Sequence, residues 1–267
     1  MRFGGPVFGF DDPSTWTEQH RRWKYTAAYW PGKEDVDGYV QAAHDADLVI
    51  AEVGVWNNVL HPDPAKRKEC IDKAIERLGF ADRVGARCAV NVAGSRGDRF
   101  DGPHPLDLTE ETMEMIVQTV REIIDAVKPK RTKYSLETMP WMLPDSAETS
   151  LELVRRIDRE AFGIHFDPVN LINSPRRYFE SRAYVRDYID RVGPHIVAVH
   201  IKDVLLEKTL TTHLREVRPG LGGFDLAGFF EEARRLGDVP IMLEHLPSED
   251  EYRLARDHVA QVTNGTV

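Results

Sequence analysis

Cysteine is nearly missing from this chain: Cys70 and Cys88 are the only two in 267 residues, and neither belongs to a CxxC pair. A disulfide framework is thereby excluded, and both are expected to be free, buried thiols. Long hydrophobic runs are lacking too, since nothing approaches the roughly 18 consecutive apolar residues of a membrane-crossing helix. The amino terminus, MRFGGPVFGFDDP, shows no charged segment followed by an apolar stretch of signal-peptide length. A cytoplasmic location with no membrane partner is the resulting expectation. Positive charge is in deficit: 35 Lys and Arg against 44 Asp and Glu leave a net −9, which argues against a nucleic-acid partner. Neither GxGxxG after the first strand nor GxxxxGK[ST] anywhere is found, so the phosphate loops of doubly wound sheets are absent. The acceptor pattern Asn264, Gly265, Thr266 is read as accidental.

What is present is alternation. Hydrophobic residues make up 42% of the chain, enough for a substantial core. Eight β-type runs occur at about 3–9, 26–30, 48–54, 88–93, 133–138, 162–167, 196–202 and 240–245. Most are apolar at consecutive positions, the pattern of parallel strands covered on both faces. Between them apolar residues recur at three and four. Met113, Ile116, Val117, Val120, Ile123, Ile124 and Val127 form one such stripe, opened by Thr109 as N-cap with Glu110 and Glu111 at the positive helix end. Ile71, Ala74, Ile75 and Leu78 follow Asp63 and Pro64, and Leu226, Phe229, Phe230 and Ala233 make a third stripe. Eight repeats without a linker indicate a single (β/α)8 TIM-barrel domain over residues 1–267, because eight parallel strands can close and remove both edges. A doubly wound open sheet is the rival.

In such a barrel the C-terminal strand ends form the active face. Four of the later runs close there in an acid or an imidazole: Glu137 in YSLETMPW, Asp167 in FGIHFDPVN, His200 in IVAVHIKD and Glu244 in PIMLEHLP. Singly, each has an ordinary reading as a cap, an ion-pair partner or a core histidine. Together, three carboxylates and one imidazole suit a divalent cation that removes the cost of burying unpaired charge. Lys202 shares a strand face with His200 by period two, so it either stabilises an anionic oxygen or pairs with Asp203 at the rim. His165 shares a face with Asp167 and either lines the pocket or packs in the barrel. Glu52, Asn91, Arg96, His213, Arg215 and Arg218 are further polar candidates. Trp56 and Trp141 follow strand ends, where a ring stacks on a sugar or packs in a loop.

These motifs resemble the xylose-isomerase-like TIM-barrel superfamily, specifically the sugar phosphate isomerase/epimerase group that includes ketose 3-epimerases and inosose dehydratases. The resemblance spans nearly the whole chain and is most specific from residue 133 onward. It implies that Glu137, Asp167, His200 and Glu244 bind one divalent metal, Mn2+ first, with Mg2+, Co2+ or Zn2+ as alternatives. It also implies substrate contacts from Lys202, His165, Asn170, Glu52, Trp141, Asn91 and Arg218. Glu137 and Glu244 would flank the reacting carbon as the acid/base pair. Ketose 3-epimerases often carry a His three residues after the sixth-strand Asp, where this chain has Asn170. The related endonucleases use additional histidines on early strands, where this chain offers Glu52 and Asn91.

The expected function is therefore a metal-dependent isomerase or epimerase of a sugar, acting through a metal-stabilised enediolate. A lyase acting on an inosose-like or 3-oxo sugar begins with the same proton abstraction and is the alternative. A phosphodiesterase and a noncatalytic barrel subunit stand behind these two. The partner is a small carbohydrate, and the family resemblance allows a homo-oligomer.

Overall fold

The computed structural model describes residues 1–266. Strand and helix alternate as β1 (Arg2–Gly4), α1 (Pro13–Trp23), β2 (Ala27–Tyr29), α2 (Val36–Asp45), β3 (Val49–Gly54), α3 (Pro64–Val84), β4 (Cys88–Asn91), α4 (Glu110–Val127), β5 (Lys133–Glu137), α5 (Ala147–Ile157) and β6 (Phe162–Phe166). The second half continues with α6 (Pro175–Phe179), α7 (Ser181–Val192), β7 (Ile196–Ile201), β8 (Asp203–Leu206), β9 (Leu214–Val217), α8 (Leu226–Ala233), β10 (Pro240–Leu243) and α9 (Glu249–Val262). Eight strands form a closed barrel in the order β1-β10-β7-β6-β5-β4-β3-β2. Among the described residues no helix is long and apolar enough to cross a membrane.

Two compact units make up the chain, one of residues 1–49, 167–194 and 199–267, the other of 50–166 and 195–198. In the first, β1 runs parallel to β10 with Gly4 opposite Met242, and to β2 with Gly4 opposite Ala27. A side chain at Gly4 would bring its Cβ within 2.0 Å of the Ala27 carbonyl oxygen, so only glycine lets these strands approach. β10 pairs with β7, placing Met242 beside His200. Phe3 packs edge-on against Tyr25 and Phe230 in this core.

In the second unit β3, β4, β5 and β6 pair in parallel, with Asn91 opposite Leu136 and Glu137 opposite His165. Every residue of β4 and β6 is buried, the origin of their unbroken apolar runs. The expected caps hold α3 and α4: Asp63 accepts from the amides of Ala65 and Lys66, and Thr109 from that of Thr112. Cys88 is buried, whereas Cys70 is only half-buried.

Two expectations about the strands need correction. β1 ends at Gly4 instead of reaching residue 9, since Pro6 has no amide to donate to a ladder. An antiparallel hairpin, β8 with β9, lies between the last two barrel strands, pairing Asp203 with Val217 and Leu206 with Leu214.

Candidate metal centre

Within the first unit, Asp167 follows β6, His200 lies near the end of β7, and Glu244 directly follows β10. Asp167, His200 and Glu244 each offer a ligand atom, and these atoms lie within 4.8 Å of one another. All three residues are buried. Asp167 is fixed at one oxygen by its own loop: the amides of Val169 and Asn170 donate to Oδ1 at 2.8 and 3.0 Å. The Nδ1 atom of His200 is 2.7 Å from Glu244 Oε2.

Lys202 is almost fully buried, and its ammonium joins two of these acids, 2.7 Å from Asp167 Oδ2 and 2.6 Å from Glu244 Oε1. The rim pairing with Asp203 is not what forms. Asp203 is occupied by four backbone amides, accepting from Val204 and Phe224 at Oδ1 and from Gly220 and Gly222 at Oδ2. Burial raises the pKa of the Asp203 carboxyl, and the four amides oppose that rise. Burial likewise pushes Glu244 upward, but His200 and Lys202 together outweigh it and hold this carboxyl well below the usual carboxylate range. Glu244 is thus an anion held in a dry setting by the Lys202 ammonium and the His200 imidazole.

Three residues that sequence reasoning passed over complete this surrounding. Glu216, on β9, approaches Lys202 to 3.3 Å and the Nδ1 atom of His245 to 3.2 Å. Hydrogen bonding to Glu216 raises the His245 pKa against the effect of its burial. Tyr29, at the end of β2, donates to the carbonyl of Leu243 at 3.1 Å, and its ring centroid is 6.3 Å from that of His200. The weak alternation of LREV around Glu216 offered no usable signal.

In the second unit, Glu137 is buried as the last residue of β5. His165 and Glu52 form a buried pair, with Nε2 2.9 Å from Oε2. Asn91 is fully enclosed: its side-chain oxygen accepts from the Asn57 amide, and its nitrogen lies 3.2 Å from both Asn57 oxygens and from the Tyr134 hydroxyl. Trp141 is partly exposed and donates its indole N–H to the Asp101 carbonyl at 2.6 Å. The Arg96 guanidinium turns to Thr112 and Glu111.

The two candidate arginines of the first unit are engaged elsewhere. Arg218 holds Glu251 at 2.8 Å and the Pro219 carbonyl, and Arg215 pairs with Glu207 at 2.8 Å. His213 supplies a backbone carbonyl to Glu207.

The donor set fits a hard or borderline divalent cation. Two carboxylates and an imidazole, close enough to share one ion and shielded from water, match the ligand preference of Mn2+ or Mg2+. Neither cysteine lies among these donors.

The family sequence model described as xylose isomerase-like TIM barrel matches residues 9–262. No curated protein matches the chain. Similar solved structures include a probable 3-DHS dehydratase from Bacillus anthracis, 17% identical with a TM-score of 0.73 and 99% of each chain covered. A 3-keto-D-glucoside 4-epimerase from E. coli has 15% identity and a TM-score of 0.72, again over 99% of each chain. D-psicose 3-epimerase from Clostridium cellulolyticum H10 has 14% identity and a TM-score of 0.70, covering 99% of this chain and 98% of the other. At such identities the likeness is one of fold.

Proposed function

Because the chain belongs to the xylose isomerase-like TIM barrel family, we propose that it is a divalent-metal-dependent isomerase or epimerase of a sugar or sugar derivative. The observation that carries this reading is the buried set of Asp167, His200 and Glu244 bridged by Lys202 at the strand ends. In the proposal Glu137 is the fourth ligand, and Mn2+ is the first choice of ion. When bound, the ion supplies polarisation of a substrate carbonyl and neighbouring hydroxyl, favouring loss of the proton between them.

The chain's own residues do the rest. Glu244 is kept ionised by His200 and Lys202, so it stands in the deprotonated form a base requires. It is a weak base that acts on a substrate proton made acidic by the polarised carbonyl, and Glu137 returns a proton from the other side of the same carbon. Lys202 places a positive charge where an oxygen of the substrate becomes negative. Exclusion of water by the buried setting strengthens each of these interactions. A small carbohydrate is the partner in this reading.

A second reading, elimination of water from a 3-oxo sugar, rests on the same Lys202. Its ammonium is a proton donor beside the proposed base, suited to protonating a departing hydroxyl. Incubation in deuterated water with Mn2+ and a panel of ketoses and 3-oxo sugars separates the two. Isomerase or epimerase action places deuterium in the recovered sugar. Elimination produces an ultraviolet-absorbing enone. Absence of both, with Mn2+ bound, rejects both.

A further inference from the structure

Beside the centre, the loops after β1 and β2 and the start of α1 enclose a cavity of about 190 Å³. Its walls are Pro6, Val7, Phe10, Trp16, Tyr29 and Trp30, with Gly5, His20 and Pro31 completing the lining. Phe10, Tyr29, Trp30 and Pro31 keep partial exposure, whereas Trp16 and His20 are buried, so the cavity has an open side and a closed floor. Buried Tyr39 braces three of the rings by edge contacts, with centroids 6.5 Å from Phe10, 5.4 Å from Trp16 and 6.4 Å from Trp30. These rings are therefore packed in place by contacts within the protein itself.

No acid, lysine or arginine lines the cavity. The His20 imidazole is held neutral by burial, which lowers its pKa to about 4. Lys33 stays at the edge, its ammonium 5.4 Å from the Phe10 ring centre. A phosphate would find no counter-charge in these walls, while an apolar ring face would find three or four aromatic partners. The size agrees, because a cavity of about 150 Å³ is sufficient for benzene. Tyr29 joins the cavity to the centre: one of its neighbours is His200, and its hydroxyl is anchored on the residue before Glu244.

We infer that this aromatic cavity is a subsite for an uncharged ring carried by the sugar, so that the substrate class is a 3-oxo glycoside with an apolar or aromatic aglycone instead of a sugar phosphate. The inference rests on reading the adjacent centre as a sugar site. A group attached to a sugar at the centre passes Tyr29 and enters the box of rings, where stacking and loss of water from apolar faces hold it.

Ligand-observed NMR titration of the full chain with phenyl β-D-glucopyranoside and methyl β-D-glucopyranoside, with and without Mn2+, tests it. The phenyl glycoside is expected to bind at least roughly tenfold more tightly than the methyl one. Trp30→Ala is expected to erase most of that preference. Phe10→Ala, at a more peripheral ring, provides a second variant, and thermal melts establish that each is folded. Equal affinity for the two glycosides, or a phenyl preference that survives in both folded variants, overturns the subsite. If the phenyl preference holds and responds to the variants while Mn2+ changes neither affinity, the subsite stands and the reading of the metal centre fails.

Discussion

The ammonium of Lys202 sits 2.6 Å from Oε1 of Glu244, inside a cluster whose acids are the proposed ligands of a divalent cation. Its 2.7 Å contact with Asp167 gives it a second anion at equal range. A fixed positive charge at this distance opposes a cation seeking the same oxygens. At an effective dielectric constant of about 20 the repulsion between unit charges 4 Å apart is about 4 kcal/mol. Lys202→Met is expected to bind Mn2+ at least tenfold more tightly by isothermal titration calorimetry, while losing turnover. Unchanged or weaker binding would show that the lysine does not govern ion affinity.

Glu137 and Glu244 are proposed to work as a pair. Glu137→Gln keeps the shape of a buried side chain and removes both its charge and its basicity. Solvent deuterium exchange into a ketose is expected to fall about a thousandfold, with the thermal midpoint little changed. A variant retaining half of the exchange rate removes Glu137 from the mechanism.

His20 makes stability depend on pH. Its Nδ1 atom is 2.8 Å from the Trp16 carbonyl, and burial takes its pKa from 6.5 down to about 4. The unfolded chain therefore binds the proton more readily than the folded one. The neutral imidazole costs nothing above pH 6.5, and stability is lost as pH falls from there towards 4, by on the order of 3 kcal/mol. Urea denaturation at successive pH values measures this loss, and His20→Gln is expected to flatten that part of the profile.

Asp203 supplies acceptors to four amides, so Asp203→Ala leaves several buried donors without a partner. A loss of roughly 3 kcal/mol or more is expected. Hydrogen exchange at the amides of Gly220, Gly222 and Phe224 locates the damage: protection is lost there first, before the barrel strands open.

Particular residues explain what could be read in the sequence and what could not. Runs such as FGIHFD announced themselves because parallel strands are buried on both faces, which removes polar positions. Asp167, His200 and Glu244 were legible because charge at the end of an apolar run is costly without a purpose. The hairpin was not legible: DVLL and LREV alternate weakly, with exposed polar positions resembling a loop. Glu216 and Tyr29 were missed for a related reason, as only tertiary packing brings them beside Lys202 and His200. The aromatic box draws on FGF, Trp16 and the pair Tyr29–Trp30, three separate segments whose convergence no local pattern reveals.

The clasp at Asp203 has a consequence for how this protein can change. It ties down both the start of β8 and the return of the chain at Gly220–Phe224, so the tip of the hairpin hangs from a closed loop of hydrogen bonds. Residues 207–213 can lengthen, shorten or be exchanged without shifting β7 or β10. Selection, natural or in the laboratory, thus has an adjustable awning over an unaltered hearth.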